Sequence, residues 1–360
     1  MSNIHETVLY VNLNTLEENF KYIKSTLADD NKIIAVIKAF AYGLGDVEIA
    51  KKLESIGVDS FWVADFEEGV QLRNEGICLP IIVANPGLKS MEIVVQNKLE
   101  PVIYSHKILD LYLTTNTPID IHLKFNTGMN RYGFEASEVN LVLEKIIQHP
   151  NLKLKSICSH LSSSDDQLKD EFSRKQIDLF NSISKAINTK LNKQIPTHIL
   201  NSNGALRFPF SSSEWIRLGI SLFGGLHHEK LQQIFTLESI VSQVREIAKG
   251  DSVGYQNSFI AKEKMKIAVV PVGYADGLNR KLGNSRGHVL INSKKCPIIG
   301  DISMDSFVAD VSEANVEEGS EVIIFSPEHS VSLLANELNT IPYEIMATLN
   351  RRTKRVYLNE

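Results

Sequence analysis

Lys38 closes the apolar run Ile33-Ile34-Ala35-Val36-Ile37, and Tyr42, Gly43 and Gly45 follow it closely. An apolar run without alternation reads as a strand buried on both faces, as in parallel sheets. A lysine at the carboxyl end of such a strand holds its ammonium in partly apolar surroundings. That disfavours the charged form and frees the amine to act as nucleophile or base. Lysines more often snorkel to solvent. Here the glycines and the tyrosine at the strand end, where parallel α/β folds place their chemistry, argue against that use. Other polar groups fall at comparable strand ends: Lys124 with Asn126–Arg131, His160, Asn201-Ser202-Asn203-Gly204, and Arg217-Leu218-Gly219-Ile220. Two of these loops are rich in small residues and could turn backbone N–H groups toward an anion. A nucleophilic lysine, a phosphate cradle and aromatic residues together suggest pyridoxal phosphate, whose aldehyde condenses with a lysine amine.

These residues need a frame of strands to hold them. Candidate strands are residues 33–38, 60–64, 80–84, 101–104, 120–124, 155–160, 197–200 and 215–218, with helical spacing between them, as in 66–74, 138–148 and 167–190. Strict alternation over eight strands predicts a (β/α)8 TIM-type barrel rather than an open sheet. From Phe235 the pattern changes. Residues 236–247, 266–272, 288–291, 306–311 and 321–325 read as strands joined by short turns, and helical spacing returns at 331–338 and 344–349. The expected organisation is a barrel domain over 1–234 and a smaller β-rich C-terminal domain over 235–360.

The bulk composition bounds the class. The chain has 360 residues, 43% hydrophobic and 22% charged, which suits a soluble protein of two well-cored domains. A net charge of −5 gives no footprint for nucleic acid or an anionic membrane. Cys78, Cys158 and Cys296 are widely spaced and suggest neither a disulfide framework nor a metal site, so a reducing compartment is expected. The first residues lack the basic and apolar segments of a signal peptide, and no apolar stretch approaches a membrane span. The expected location is the cytoplasm.

In several separate segments the chain resembles the alanine racemase family. The segment Ala35-Val36-Ile37-Lys38-Ala39-Phe40-Ala41-Tyr42-Gly43 is similar to its cofactor-lysine segment. Lys124-Phe125-Asn126-Thr127-Gly128-Met129-Asn130-Arg131 is similar to its "K-x-D-T-G-M-x-R" segment. Further likenesses are His160-Leu161-Ser162, Asn201-Ser202, Arg217-Leu218-Gly219-Ile220, Val253-Gly254-Tyr255, Gly273-Tyr274-Ala275-Asp276-Gly277, Gly300-Asp301-Ile302-Ser303-Met304-Asp305 and Pro342-Tyr343-Glu344.

The resemblance implies an enzyme that interconverts L-alanine and D-alanine on pyridoxal phosphate, supplying D-alanine for peptidoglycan. Lys38 would hold the cofactor and then serve as one base, with Tyr255 as the second base on the opposite face, since racemisation returns the proton to the face it did not leave. Arg217 would face the pyridine nitrogen and only donate to it. Tyr42, Ser202, Gly219, Ile220 and Tyr343 would hold the phosphate, Asn201 would join the cofactor site, and His160 would stack on the ring. Arg131 and the Met304 backbone would bind the substrate carboxylate, Lys124 could be carbamylated beside Arg131, and Tyr274 would line the entry. The family also implies a homodimer with shared active sites, in which Tyr255 and Met304 serve the partner's Lys38. Departures from its pattern are Phe40, Leu44, Asn126, Asn130 and Ser303. A non-catalytic carrier of the cofactor and a decarboxylase of the same fold are the alternatives. Tyr255 and the second domain disfavour the carrier, and the small size of that domain and the lack of a cysteine-bearing segment disfavour the decarboxylase.

Overall fold

The apolar run before Lys38 forms the strand Lys32–Val36, flanked on both sides by parallel neighbours, in a computed structural model that describes residues 4–208 and 213–359. All of that strand except Lys32 is buried, which is why the sequence shows no alternation there. Its sheet runs Thr197–His198, Leu152–Cys158, Ile119–Lys124, Glu100–Ile103, Ile81–Val83, Ser60–Val63, Lys32–Val36, Trp215–Leu218, parallel throughout. The two end strands meet where the Arg217 N–H donates to the Leu200 carbonyl at 3.1 Å, so the sheet is a nearly closed eight-stranded barrel. Some of the helices between the strands begin at side-chain caps. Asp65 accepts from the Glu68 N–H to open Phe66–Asn74, and Ser105 accepts from the Ile108 N–H to open His106–Tyr112.

The C-terminal sheet has nine strands, in the order Gln243–Ile247, Met265–Val270, Phe307–Asp310, Lys294–Ile299, His288–Ile291, Glu321–Phe325, Phe235–Ile240, Val8–Asn12, Lys354–Leu358. It is antiparallel except for its last pair. Phe235–Ile240 alternates buried and half-buried residues, as expected of a sheet with one covered face. The expected strand 236–247 is two strands. At their junction the Val241 N–H turns to the Ser320 carbonyl and the Ser242 N–H to the Val269 carbonyl, so the chain changes neighbours.

The compact units interleave along the chain. One comprises Phe20–Ala39 and Asp46–Ser221; the other comprises the residues up to Asn19, Phe40–Gly45 and those from Leu222 onward. The reason is visible in the pairing. Val8–Asn12 lies between Phe235–Ile240 and Lys354–Leu358 in the C-terminal sheet, although the sequence places it before the barrel.

Candidate active site

Lys38 lies just past its strand, not within it. The strand ends at Val36, the Ile37 N–H donates to the Trp62 carbonyl at 3.1 Å, and Lys38–Tyr42 then form a helical turn. This turn is left-handed: φ is +54° at Ala39, +56° at Phe40, +49° at Ala41 and +55° at Tyr42. L-residues disfavour that conformation by about 1–2 kcal/mol each, so the turn has to be held by its surroundings.

In the barrel unit, Glu68 Oε1 accepts from the Ala39 N–H and Oε2 from the Ala64 N–H, both at 2.7 Å. Within the other unit, Arg355 donates to the Gly43 carbonyl from Nε (3.1 Å) and Nη2 (2.7 Å), and the Tyr357 hydroxyl donates to the Leu44 carbonyl at 3.1 Å. The Phe40 ring lies under the Arg351 and Arg355 guanidinium groups, at 4.5 and 5.3 Å. A β-carbon on Gly43, whose φ is +84°, would come within 2.2 Å of the Met346 carbonyl oxygen.

The barrel unit gathers cations at the carboxyl ends of its strands. The Lys38 side chain reaches solvent, yet partial burial lowers its pKa. The charge of Arg131 adds to this, Glu68 opposes it, and Arg217 also lowers it. Lys124 ends the strand Ile119–Lys124, and its pKa falls to about 8, chiefly through burial. Lys124, Arg131 and His160 line one small pocket. Arg131 itself is exposed, on a loop organised by Asn126, whose Oδ1 accepts from the Gly128 and Asn130 N–H groups. The Asn126 amide donates to Asn130 Oδ1 at 2.8 Å and Glu135 Oε1 at 2.9 Å. An aspartate there would meet the Glu135 carboxylate with no proton to give, which accounts for this departure from the family pattern.

Arg217 is buried within the barrel. Nη1 donates to His198 Nδ1 at 2.6 Å and to the His198 carbonyl at 2.9 Å. Nη2 donates to the Ser159 carbonyl at 2.6 Å and approaches His160 Nδ1 at 3.1 Å. The guanidinium lies over the Trp62 ring at 5.3 Å, and burial lowers its pKa to about 10. Burial and the charge of Arg217 hold His160 and His198 far below the ordinary histidine range, so both imidazoles are neutral.

The expected phosphate loops meet. The Ser202 hydroxyl oxygen accepts from the Gly219 N–H at 3.0 Å and from the Ser221 hydroxyl at 2.8 Å, and Ile220 is buried between them in sequence. Asn201 spends its side chain on position. Its Oδ1 caps the turn Ser202–Arg207 through the Gly204 N–H, and its amide donates to the Leu161 carbonyl.

In the C-terminal unit, buried Tyr42 packs its ring 5.8 Å from Tyr343 and 5.3 Å from Phe223. Burial, with Tyr343 adding, pushes the Tyr42 hydroxyl well above the usual phenol range. Tyr255, Met304 and Tyr274 are 70%, 53% and 44% exposed, a concentration of large side chains left facing solvent. Tyr274 and Met304 are tied together, since the Tyr274 N–H donates to the Ser303 carbonyl and the Ala275 N–H to the Met304 carbonyl. Gly254, just before Tyr255, packs against Asp301 in the same segment as Met304.

The alanine racemase N-terminal domain model matches residues 11–227, and the alanine racemase C-terminal domain model matches residues 234–357. The chain belongs to the alanine racemase family. It is 36% identical to the alanine racemase of Aquifex aeolicus over 356 residues, 97% of this chain and 98% of that one. The solved alanine racemase of Clostridium difficile 630 superposes with a TM-score of 0.92 at 30% identity, covering 99% of this chain and 97% of that one. That of Bartonella henselae, solved with covalently bound pyridoxal phosphate, gives 0.90 at 28% identity, covering 98% and 100%.

Glu68 and His198 are the neighbours that sequence reasoning missed. Neither sits in a recognisable motif, and the carboxylate of Glu68 reaches the Lys38 turn from the first turn of Phe66–Asn74.

Proposed function

We propose that the protein is an alanine racemase that binds pyridoxal phosphate on Lys38 and interconverts L-alanine and D-alanine, which peptidoglycan synthesis would use. The observation that carries this reading is the strand-end cluster: an amine of lowered pKa at Lys38, beside Arg131 and a buried Arg217.

The residues fit the cofactor. Lys38 supplies an amine more readily unprotonated than a free lysine. The Gly219–Ile220 and Ser202 segments bring hydroxyl and N–H donors together, as a phosphate needs. Tyr42, Ser202, Gly219, Ile220 and Tyr343 would hold the phosphate, with Asn201 acting through the turn it caps, and His160 would face the ring. When bound, the cofactor supplies an electron sink that acidifies the α-proton of an amino acid. Arg217 would sit at the ring nitrogen as a donor that keeps its proton at neutral pH, so negative charge stays near the α-carbon and side reactions are held down.

Lys38 Nζ would move the proton on one face and the Tyr255 hydroxyl on the other. Arg131 and the Met304 backbone would bind the carboxylate. Tyr255, Tyr274 and Met304 are exposed in the single chain, and we read them as completing the site of a partner subunit in a homodimer. No helix among the described residues is long and apolar enough to cross a membrane, and the three cysteines are free, which supports a cytoplasmic setting.

Purified protein supplied with pyridoxal phosphate and L-alanine should form D-alanine and approach an equimolar mixture. Cofactor binding without D-alanine would point to the carrier reading, and release of carbon dioxide to the decarboxylase.

A further inference from the structure

The barrel interior holds a line of buried polar side chains that leads away from Arg217. His198 Nε2 lies 2.8 Å from Ser156 Oγ, Ser156 Oγ lies 2.6 Å from His122 Nδ1, and His122 Nε2 lies 2.9 Å from Glu100 Oε2. Glu100, His122, Ser156, His198 and Arg217 come from five successive strands around the barrel. His122, Ser156 and His198 have no solvent exposure. Trp215 stacks on His198 at 5.9 Å and Trp62 meets its edge at 5.7 Å.

We infer that Glu100, His122 and Ser156 are positioning residues that lock the proton arrangement of His198 and so hold the Arg217 guanidinium in place as a donor. This rests on the reading that places Arg217 at the cofactor ring nitrogen.

The two ends of the line dictate its direction. Arginine has no acceptor, so His198 Nδ1 accepts from Arg217 and the neutral imidazole carries its proton on Nε2. Ser156 Oγ then accepts from His198 Nε2, and the hydroxyl's own proton has His122 Nδ1 as its acceptor. His122 therefore carries its proton on Nε2 and donates to the Glu100 carboxylate, which as an anion can only accept. Every bond points from Arg217 to Glu100. Reversing any one of them would set two donors or two acceptors face to face in a dry interior, where an unmade hydrogen bond is costly. The buried cation at one end of the line is balanced by a carboxylate at the other.

The test reads the apoprotein labelled with 15N-histidine by long-range 1H–15N correlation at neutral pH. Both His122 and His198 should show the Nε2–H tautomer. An Nδ1–H tautomer at either one overturns the inference, and this arm needs neither a variant nor the cofactor. Ser156→Ala should cost His198 its single-tautomer signature. In the loaded enzyme it should lower kcat about tenfold, the scale of one lost buried hydrogen bond, with KM for alanine little changed. Ser156→Thr, which restores the hydroxyl, should recover both. A Ser156→Ala protein with the parental His198 signature and parental kcat would also overturn it. A parent with the Nε2–H tautomer at both histidines that forms no D-alanine would refute the proposed function and leave the relay standing.

Discussion

Replacing Lys124 by methionine separates the cost of its buried charge from every other titration in the protein. Burial is the largest influence on this amine; Cys158 opposes it, the cations Arg217, Arg131 and Lys38 add to it, and the net effect lowers its pKa from 10.5 to about 8. The folded value lies below the unfolded one, the reverse of a lysine that gains a partner. Between the two, the unfolded chain binds more protons, so stability rises with pH across that window, and below about pH 8 the penalty is present in full. A shift from 10.5 to about 8 gives a penalty of about 3 kcal/mol at pH 7 and about 1 kcal/mol at pH 9.5. The parent should therefore gain about 2 kcal/mol relative to Lys124→Met over that range. Methionine keeps the length and apolar stem of the side chain, so packing changes little. Urea unfolding of the two apoproteins would measure it, in buffers free of carbon dioxide because a carbamate would replace the titrating amine. Parallel pH profiles for the two proteins would refute the account of the cation cluster.

Two further outcomes are expected. Gly43→Ala should destabilise the protein by about 1–3 kcal/mol, because its β-carbon meets the Met346 carbonyl. Gly57→Ala, also at positive φ but with open space around it, should cost only the strained backbone conformation, about 1–2 kcal/mol, and less than Gly43→Ala; equal losses in thermal or urea unfolding would show that the Gly43 contact does not hold the turn. A mixed dimer of Lys38→Ala and Tyr255→Phe subunits, isolated through two affinity tags, should recover up to about half the parental racemisation by the count of intact sites. A verified mixed dimer without activity would place both bases in one chain.

The barrel was largely legible because most of its strands are buried on both faces. Trp215–Leu218 has the bounds that its apolar run predicts, and Lys124 and Arg217 fall at or near strand ends as the alternation implies. What stayed hidden is what non-local contacts impose. Val8–Asn12 carries no sign that its partners are Phe235–Ile240 and Lys354–Leu358. The left-handed turn after Lys38 runs through Ala39, Phe40, Ala41 and Tyr42, which no local preference would place at positive φ. Glu68, Arg355 and Tyr357, distant in sequence, hold it there. Phe40, which departs from the family pattern, has its ring beneath two arginines that are far away in sequence.

The measurement closest to the central claim is borohydride reduction of the protein loaded with pyridoxal phosphate, followed by peptide mapping. Reduction should fix the cofactor irreversibly, and the labelled peptide should contain Lys38. A label on Lys124 or any other lysine, or no label at all, would contradict the assignment of the strand-end amine on which the mechanism stands.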